Sequence, residues 1–222
     1  MEHIFLLDIN RLRDKSVYDA YFEQMSPERQ KKITEHKMEE DRLRSLGAGI
    51  VLDAILKQYG LCQKEVTLEY VVNGKAVVRG RPEIHFNLSH SGNFAAGACG
   101  PCPVGIDIEK ERRMNMKTAR RFFCESEYSY LESQKDEAAQ KNVFFRFWVL
   151  KESFMKVTGL GMRLALNEFE IRLKENAAEV IHSVDDRSYY FKEFTVEDSH
   201  MAVCSPDPGI TDWEPVWLDL MV

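Results

Sequence analysis

Two acids spaced for a common face open the chemical reading of this chain. From Pro103 to Glu109 the sequence alternates, with Val104, Ile106 and Ile108 pointing one way and Gly105, Asp107 and Glu109 the other. Asp107 and Glu109 therefore lie on one side of a strand, about 7 Å apart along it. Anions that close repel unless a cation holds them. A hard divalent ion, which takes a few carboxylates together with substrate phosphates, is one such cation. Solvated acids on a half-exposed strand carry the same pattern. Further on, residues 147–156 read as helix, and Glu152 and Lys156, four apart, share a face. Trp148 and Phe145 lie on that face, away from a core stripe of Val143, Phe147, Leu150 and Phe154. Glu152 offers a third carboxylate and Lys156 a charge for a phosphate; a surface ion pair worth about 0.3–0.5 kcal/mol is the competing reading. Finally, Phe86–Asn93 ends a strand in a polar turn, where Ser89, His90 and the turn amides suit phosphate oxygens. Ser89 lies outside a G-x-S-x-G setting, so a nucleophile elbow is not supported.

The elements that must position these groups follow from periodicity. Ile4–Ile9 is a short buried strand, and Ser26-Pro27-Glu28 has the form of a helix start. The stretch from Glu39 to Tyr59 is helical, with Gly60 as its stop. Val66–Val72 is a strand and Asn73-Gly74 a hairpin turn. Ile84–Ser89 and Phe94–Cys99 pair around Ser91-Gly92-Asn93. The order then recurs. Val104–Ile108 echoes Phe5–Ile9, a helix covers Gln140–Val157 and stops at Gly159, and Glu168–Leu173 is a strand. Ser188–Phe194 with Met201–Cys204 matches the earlier hairpin. The expected fold is α+β, in two similar α+β halves, residues 1–102 and 103–222, with a site at the seam. Chance recurrence of common elements is the competing reading.

Composition narrows the class. With 222 residues, 44% hydrophobic and 30% charged, the chain buries a core without disulfide staples. A net charge of −6 argues against a general nucleic-acid binder. The first eight residues lack a basic leader, and no run approaches 18 apolar residues, so no membrane span and a cytoplasmic location are expected. Five cysteines, an odd number, fit thiols. Cys99-Gly100-Pro101-Cys102 has the letters of a redox pair, but Pro103 and a β-patterned run follow it. The redox motif needs its first Cys at a helix N-terminus, so a turn is preferred. No second Cys or His pair has zinc spacing, and no phosphate-binding G-x-x-x-x-G-K-[ST] is present.

Taken in order, Asn87-Leu88-Ser89-His90-Ser91, Gly105-Ile106-Asp107-Ile108-Glu109, and Phe147-Trp148 followed by Lys151-Glu152-Ser153-Phe154-Met155-Lys156 resemble the 4′-phosphopantetheinyl transferase family, long single-chain surfactin type. The likeness spans about Ser26 to Leu173. It implies a pseudo-twofold pair of α+β halves with the active site between them. It also implies transfer of 4′-phosphopantetheine from coenzyme A to a serine of an apo acyl or peptidyl carrier protein, releasing adenosine 3′,5′-bisphosphate. Asp107, Glu109 and Glu152 become ligands of Mg²⁺, with Mn²⁺ as the alternative. Lys156 meets the leaving phosphate, and Ser89 and His90 contact coenzyme A phosphates. Arg29, Lys32 and Arg44 match positions that take the 3′-phosphate, Arg29 standing where a lysine is usual. Gly74 and Lys75 match an adenine loop, followed by Ala76 where the family often has proline. Glu127 matches a further acidic position, and long members of the family are monomers.

In the implied reaction Glu152 is the general base, directly or through a water, and Lys156 its partner at the phosphate. Carriers of this class are acidic helical bundles. Arg112, Arg113, Lys117, Arg120 and Arg121, interleaved with Met114, Met116, Phe122 and Phe123, suit such a partner or form a solvated basic segment. A non-catalytic module binding coenzyme A and carriers, and a thiol redox protein using Cys99 and Cys102, are the alternatives.

Overall fold

The computed structural model describes residues 3–71, 73–174 and 177–221. Strand β1 (Ile4–Asp8) is followed by helices α1 (Lys15–Phe22), α2 (Pro27–Glu35) and α3 (Glu39–Lys57). Ser26 caps α2 by accepting the Arg29 N–H, with Pro27 at the first helical position. Helix α3 ends two residues before its expected limit at Tyr59, in a turn that closes on Gly60 at φ +69°. Strands β2 (Leu68–Tyr70) and β3 (Ala76–Val78) form a hairpin through Gly74 at φ +79°. The expected strand over 66–72 is thus shorter, and its last residue, Val72, lies outside the described residues. Strands β4 (His85–Ser91) and β5 (Phe94–Gly100) pair around Gly92.

The second half repeats this order. It runs through β6 (Gly105–Lys110), α4 (Met116–Phe122), α5 (Glu125–Glu132), α6 (Glu137–Thr158), the hairpin β7 (Glu170–Leu173) and β8 (Ala178–Ile181), and the hairpin β9 (Tyr190–Val196) and β10 (Ser199–Ser205). The antiparallel order β1-β5-β4 of the first sheet returns as β6-β10-β9 in the second. The molecule is therefore α+β, in two similar halves. One element departs from a division at residues 102 and 103. Strand β11 (Pro215–Trp217) runs back and pairs in parallel with β1, so the end of the chain belongs to the first sheet.

Burial explains the layering. Phe5, Leu7 and Ile9 pack under α3, whereas Ile4, Leu6, Phe94, Ile106, Ile108 and Met201 form a core shared by the inner sides of both sheets. A third core lies between α6 and the outer side of the second sheet. Helix α6 is buried more completely than a single stripe predicts. Phe145, placed by its spacing away from the core, is buried and stacks on His200 with centroids 6.1 Å apart. Close approach of α6 depends on Gly105. A Cβ there would stand 2.1 Å from the Ser153 carbonyl oxygen and 2.5 Å from the Val157 nitrogen. Among the described residues no helix is long and apolar enough to cross a membrane.

Candidate active site

The seam between the halves is a side-chain ladder. Asn87, Ser89 and Ser91 alternate along β4, and each accepts a backbone N–H of β6: Ile106 at 3.0 Å, Ile108 at 3.3 Å and Lys110 at 3.1 Å. Phe86 and Leu88, on either side of Asn87 in sequence, turn the other way into the first core. The alternation that hides Ile106 and Ile108 between the sheets leaves Asp107 and Glu109 facing this ladder and α6. Ser89 donates its hydroxyl to Asp107 Oδ1 at 2.8 Å, and Ser91 donates to Glu109 Oε2 at 2.8 Å.

Helix α6 supplies the rest. Lys156 donates to Asp107 Oδ1 at 2.6 Å, to Ser89 Oγ at 3.1 Å and to the Ile106 carbonyl at 3.0 Å. Burial pushes the carboxyl of Glu152 above the usual range, and the charge of Asp107 and, more weakly, Glu109 push it the same way against the pull of Lys156. Glu109 is raised as well, first by burial and then by Asp107, with the Ser91 hydrogen bond opposing. The three acids thus feel one another's charge, although they lie far apart in the chain.

Beside them opens a cleft of about 410 Å³. Arg29, Lys32, Lys75 and Lys156 line it, and among the described residues no Asp or Glu does. Such a wall suits an anion with several phosphates. Arg29 is buried, which lowers its pKa, and Lys32 places its ammonium 5.8 Å from the centre of the Tyr70 ring. Burial brings Lys75 down to about 8. Its ammonium donates to the Lys156 carbonyl at 3.0 Å and the Val104 carbonyl at 3.4 Å, at the C-terminal end of α6. Gly74, Ser89 and His90 also line the cleft. His90 is exposed, yet the atoms packed around its ring and the charges of Arg44, Lys156 and Lys32 hold it below its usual pKa. Arg44 itself does not reach the lining. It pairs with Asp41 at 2.6 Å and donates to the Gly92 carbonyl at 3.3 Å, behind the turn.

Among the described residues no group of three or more His, Cys, Asp or Glu side chains is placed to hold a metal ion. The donor set nevertheless fits a hard divalent ion. Asp107 Oδ2 is buried without a hydrogen-bond partner, a costly state for a carboxylate oxygen. Mg²⁺ needs only one or two carboxylates when phosphates and waters complete its shell.

Other expectations resolve differently. Glu127 is remote from the acids. It is buried, accepts the N–H groups of Cys124 at 2.8 Å and Ile171 at 2.6 Å, and pairs with fully buried Lys151 at 2.7 Å. Lys151 also donates to the Leu166 and Phe169 carbonyls, both at 2.8 Å, so this pair braces α6 rather than serving the site. Arg112, Arg113, Lys117, Arg120 and Arg121 are exposed as expected. Phe123, by contrast, is core, and Met114 and Met116 pack against that core. A groove of about 200 Å³ among Arg112, Arg113, Thr118, Phe144 and Trp148 supplies the apolar surface instead. The redox reading falls. No disulfide forms, Cys99 is buried within β5, and burial pushes its thiol up to about 11, against thiolate formation.

Comparison with known proteins shows the family. Residues 103–204 match the 4′-phosphopantetheinyl transferase superfamily. The chain is 34% identical over 212 residues to 4′-phosphopantetheinyl transferase Sfp of Bacillus subtilis strain 168, covering 94% of each protein. The chain belongs to the 4′-phosphopantetheinyl transferase superfamily. Two further transferases are similar to it. HetI of Nostoc sp. PCC 7120 is 38% identical over 133 residues, 57% of this chain and 55% of HetI. The human L-aminoadipate-semialdehyde dehydrogenase-phosphopantetheinyl transferase is 24% identical over 210 residues, 82% of this chain and 68% of that protein. Among solved structures, the holo-[acyl-carrier-protein] synthase of Thermotoga maritima overlays 46% of this chain and 61% of its own, with 20% identity and a TM-score of 0.41. That of Bacillus anthracis, in complex with CoA (3′,5′-ADP), overlays 46% and 93%, with 20% identity and a TM-score of 0.40.

In this transferase the sequence motifs miss three features of the site: Ser91, the ring of Tyr70 on the cleft wall, and the part of Lys75 at the end of α6. Only Ser91 leaves a signal. The period-two run Asn87, Ser89, Ser91 mirrors the period-two acids Asp107 and Glu109.

Proposed function

We propose that this transferase moves the 4′-phosphopantetheine of coenzyme A to a serine of an apo acyl or peptidyl carrier protein and releases adenosine 3′,5′-bisphosphate. One observation carries the reading: Lys156 belongs to the cation-lined cleft and at the same time bonds Asp107, joining a phosphate-binding wall to the acids. Residues 1–102 bring Arg29, Lys32, Gly74, Lys75, Ser89 and His90 to the nucleotide, with Arg44 acting at longer range. Residues 103–222 bring the acids and α6.

Asp107, Glu109 and Glu152 would hold a divalent ion, Mg²⁺ or Mn²⁺. Bound there, the ion supplies charge neutralisation along the diphosphate and polarises the reacting phosphate. Arg29 and Lys32 hold the nucleotide phosphate. Lys156 offsets the charge that builds on the leaving phosphate as its bond to phosphorus breaks. Glu152, directly or through a water, takes the proton of the carrier serine as the new oxygen–phosphorus bond forms. Arg112 and Arg113, with Lys117, Arg120 and Arg121 beyond them, present positive charge around the groove floored by Phe144 and Trp148. That combination suits an acidic helix with an apolar anchor. Both halves of the site come from one chain, so a monomer suffices.

Mass spectrometry tests the reading. Apo carrier proteins mixed with the transferase, coenzyme A and Mg²⁺ should gain the mass of one phosphopantetheine. Unchanged masses for fatty-acid, polyketide and peptide-synthetase carriers alike would overturn it.

A further inference from the structure

The two hydroxyls of the seam do more than join the halves. Ser91 Oγ accepts the Lys110 N–H at 3.1 Å and donates to Glu109 Oε2 at 2.8 Å. Ser89 Oγ accepts the Ile108 N–H at 3.3 Å and the Lys156 ammonium at 3.1 Å, and donates to Asp107 Oδ1 at 2.8 Å. A serine hydroxyl has one proton and two lone pairs. In each case a backbone N–H of β6 takes up acceptor capacity, so the single proton is left to the carboxylate one residue back on the same strand. The arrangement is repeated two residues apart along both strands, in step with the β period. Asn87, the third rung, accepts the Ile106 N–H but has no acid opposite it.

We propose that Ser91, together with Ser89, is a positioning residue: each hydroxyl fixes one β6 acid so that its second oxygen is presented to a divalent ion. The burial pattern supports this at Asp107. Its Oδ1 takes the Ser89 and Lys156 bonds, while Oδ2 stays enclosed and unpartnered. Partners of this kind orient ligating carboxylates, and their loss weakens metal binding by about 10- to 100-fold. The site's geometry is then set jointly by both halves, since the ligands lie on β6 and the hydroxyls that aim them on β4. The inference rests on the metal reading given above.

The test measures Mn²⁺ binding by electron paramagnetic resonance on the full chain with coenzyme A present, so that it does not depend on turnover. Ser91→Ala is expected to raise the Mn²⁺ dissociation constant at least about 10-fold, and Ser91→Thr, which keeps the hydroxyl, to restore it. Thermal melting of the same proteins in chelator reports the loss of the Lys110 bond separately. A lower melting temperature for Ser91→Ala with an unchanged Mn²⁺ constant would make Ser91 a seam residue only, and would overturn the proposal. Failure of the unaltered protein to bind Mn²⁺ would instead remove the metal reading, and the positioning role with it.

Discussion

Lys156 holds its ammonium 2.6 Å from Asp107 and 3.1 Å from Ser89, so a single side chain of α6 touches both β6 and β4. Three elements that are separate in sequence meet at that point, and the acids and the cation-lined cleft share it. The consequences are testable residue by residue.

Glu152 makes the first prediction. Glu152→Gln removes the proton acceptor and should lower turnover at least about 100-fold. The same change should raise the melting temperature of the metal-free protein at neutral pH, by on the order of a few degrees, because it deletes one of three mutually repelling, partly buried charges. The sign follows from linkage. The folded pKa of Glu152 lies above its unfolded value, so the native state binds more protons in that window and loses stability as pH rises through it. The variant lacks this loss, and its advantage should vanish as pH falls to the ordinary carboxylate range. Calorimetry in chelator and a turnover assay check both parts.

Lys75 gives a pH dependence. Its pKa of about 8 lies below the usual 10.5, so the cost of burying its charge is present below pH 8. That cost is relieved, and native stability rises, from about 8 toward 10.5. Over the same rise the cleft loses a positive charge, and the KM for coenzyme A should increase. Lys75→Arg stays charged and should flatten that increase. Parallel KM profiles for the two proteins across pH 8 would remove Lys75 from coenzyme A binding.

The basic face separates the two substrates. Arg113→Glu with Arg121→Glu, leaving in place Arg112, which pairs with Glu109 at 3.7 Å, should raise the KM for carrier protein by about 10-fold or more at low salt, while the KM for coenzyme A stays put. The effect should shrink as ionic strength rises. Equal changes in both constants would place these arginines at the nucleotide instead.

Gly105 tests the packing that delivers α6. A Cβ there meets the backbone of Ser153 and Val157, which cannot swing aside as a side-chain end can. Gly105→Ala should cost at least about 3 kcal/mol in denaturant unfolding, the upper end for overpacking. An unfolding midpoint close to that of the unaltered protein would show that α6 moves freely over β6.

Much of this was legible in the residues. The alternation in 103–109 places Ile106 and Ile108 in the shared core and Asp107 and Glu109 outside it, as β6 does, because a strand's period is rigid. Gly60 and Gly159 end α3 and α6 because they take positive φ. Pairings between distant residues were not legible. Lys151, which shares the exposed-looking run with Glu152, is fully buried because Glu127, 24 positions earlier in numbering, and two carbonyls receive it. Arg44 turns to Asp41, one helical turn back, rather than to the cleft. Strand β11 spans three residues, too few to show a period, so its return to the first sheet leaves no trace in the pattern. The bond from Ser91 to Glu109 joins residues 18 positions apart, so only the matching period of the two runs points to it.

Anomalous scattering from Mn²⁺ in crystals grown with coenzyme A addresses the central claim most directly. A single peak should lie among the carboxylates of Asp107, Glu109 and Glu152, against the diphosphate, with the nucleotide in the cleft of Arg29, Lys32 and Lys75. A nucleotide bound in that cleft with no manganese beside the three acids would contradict the account.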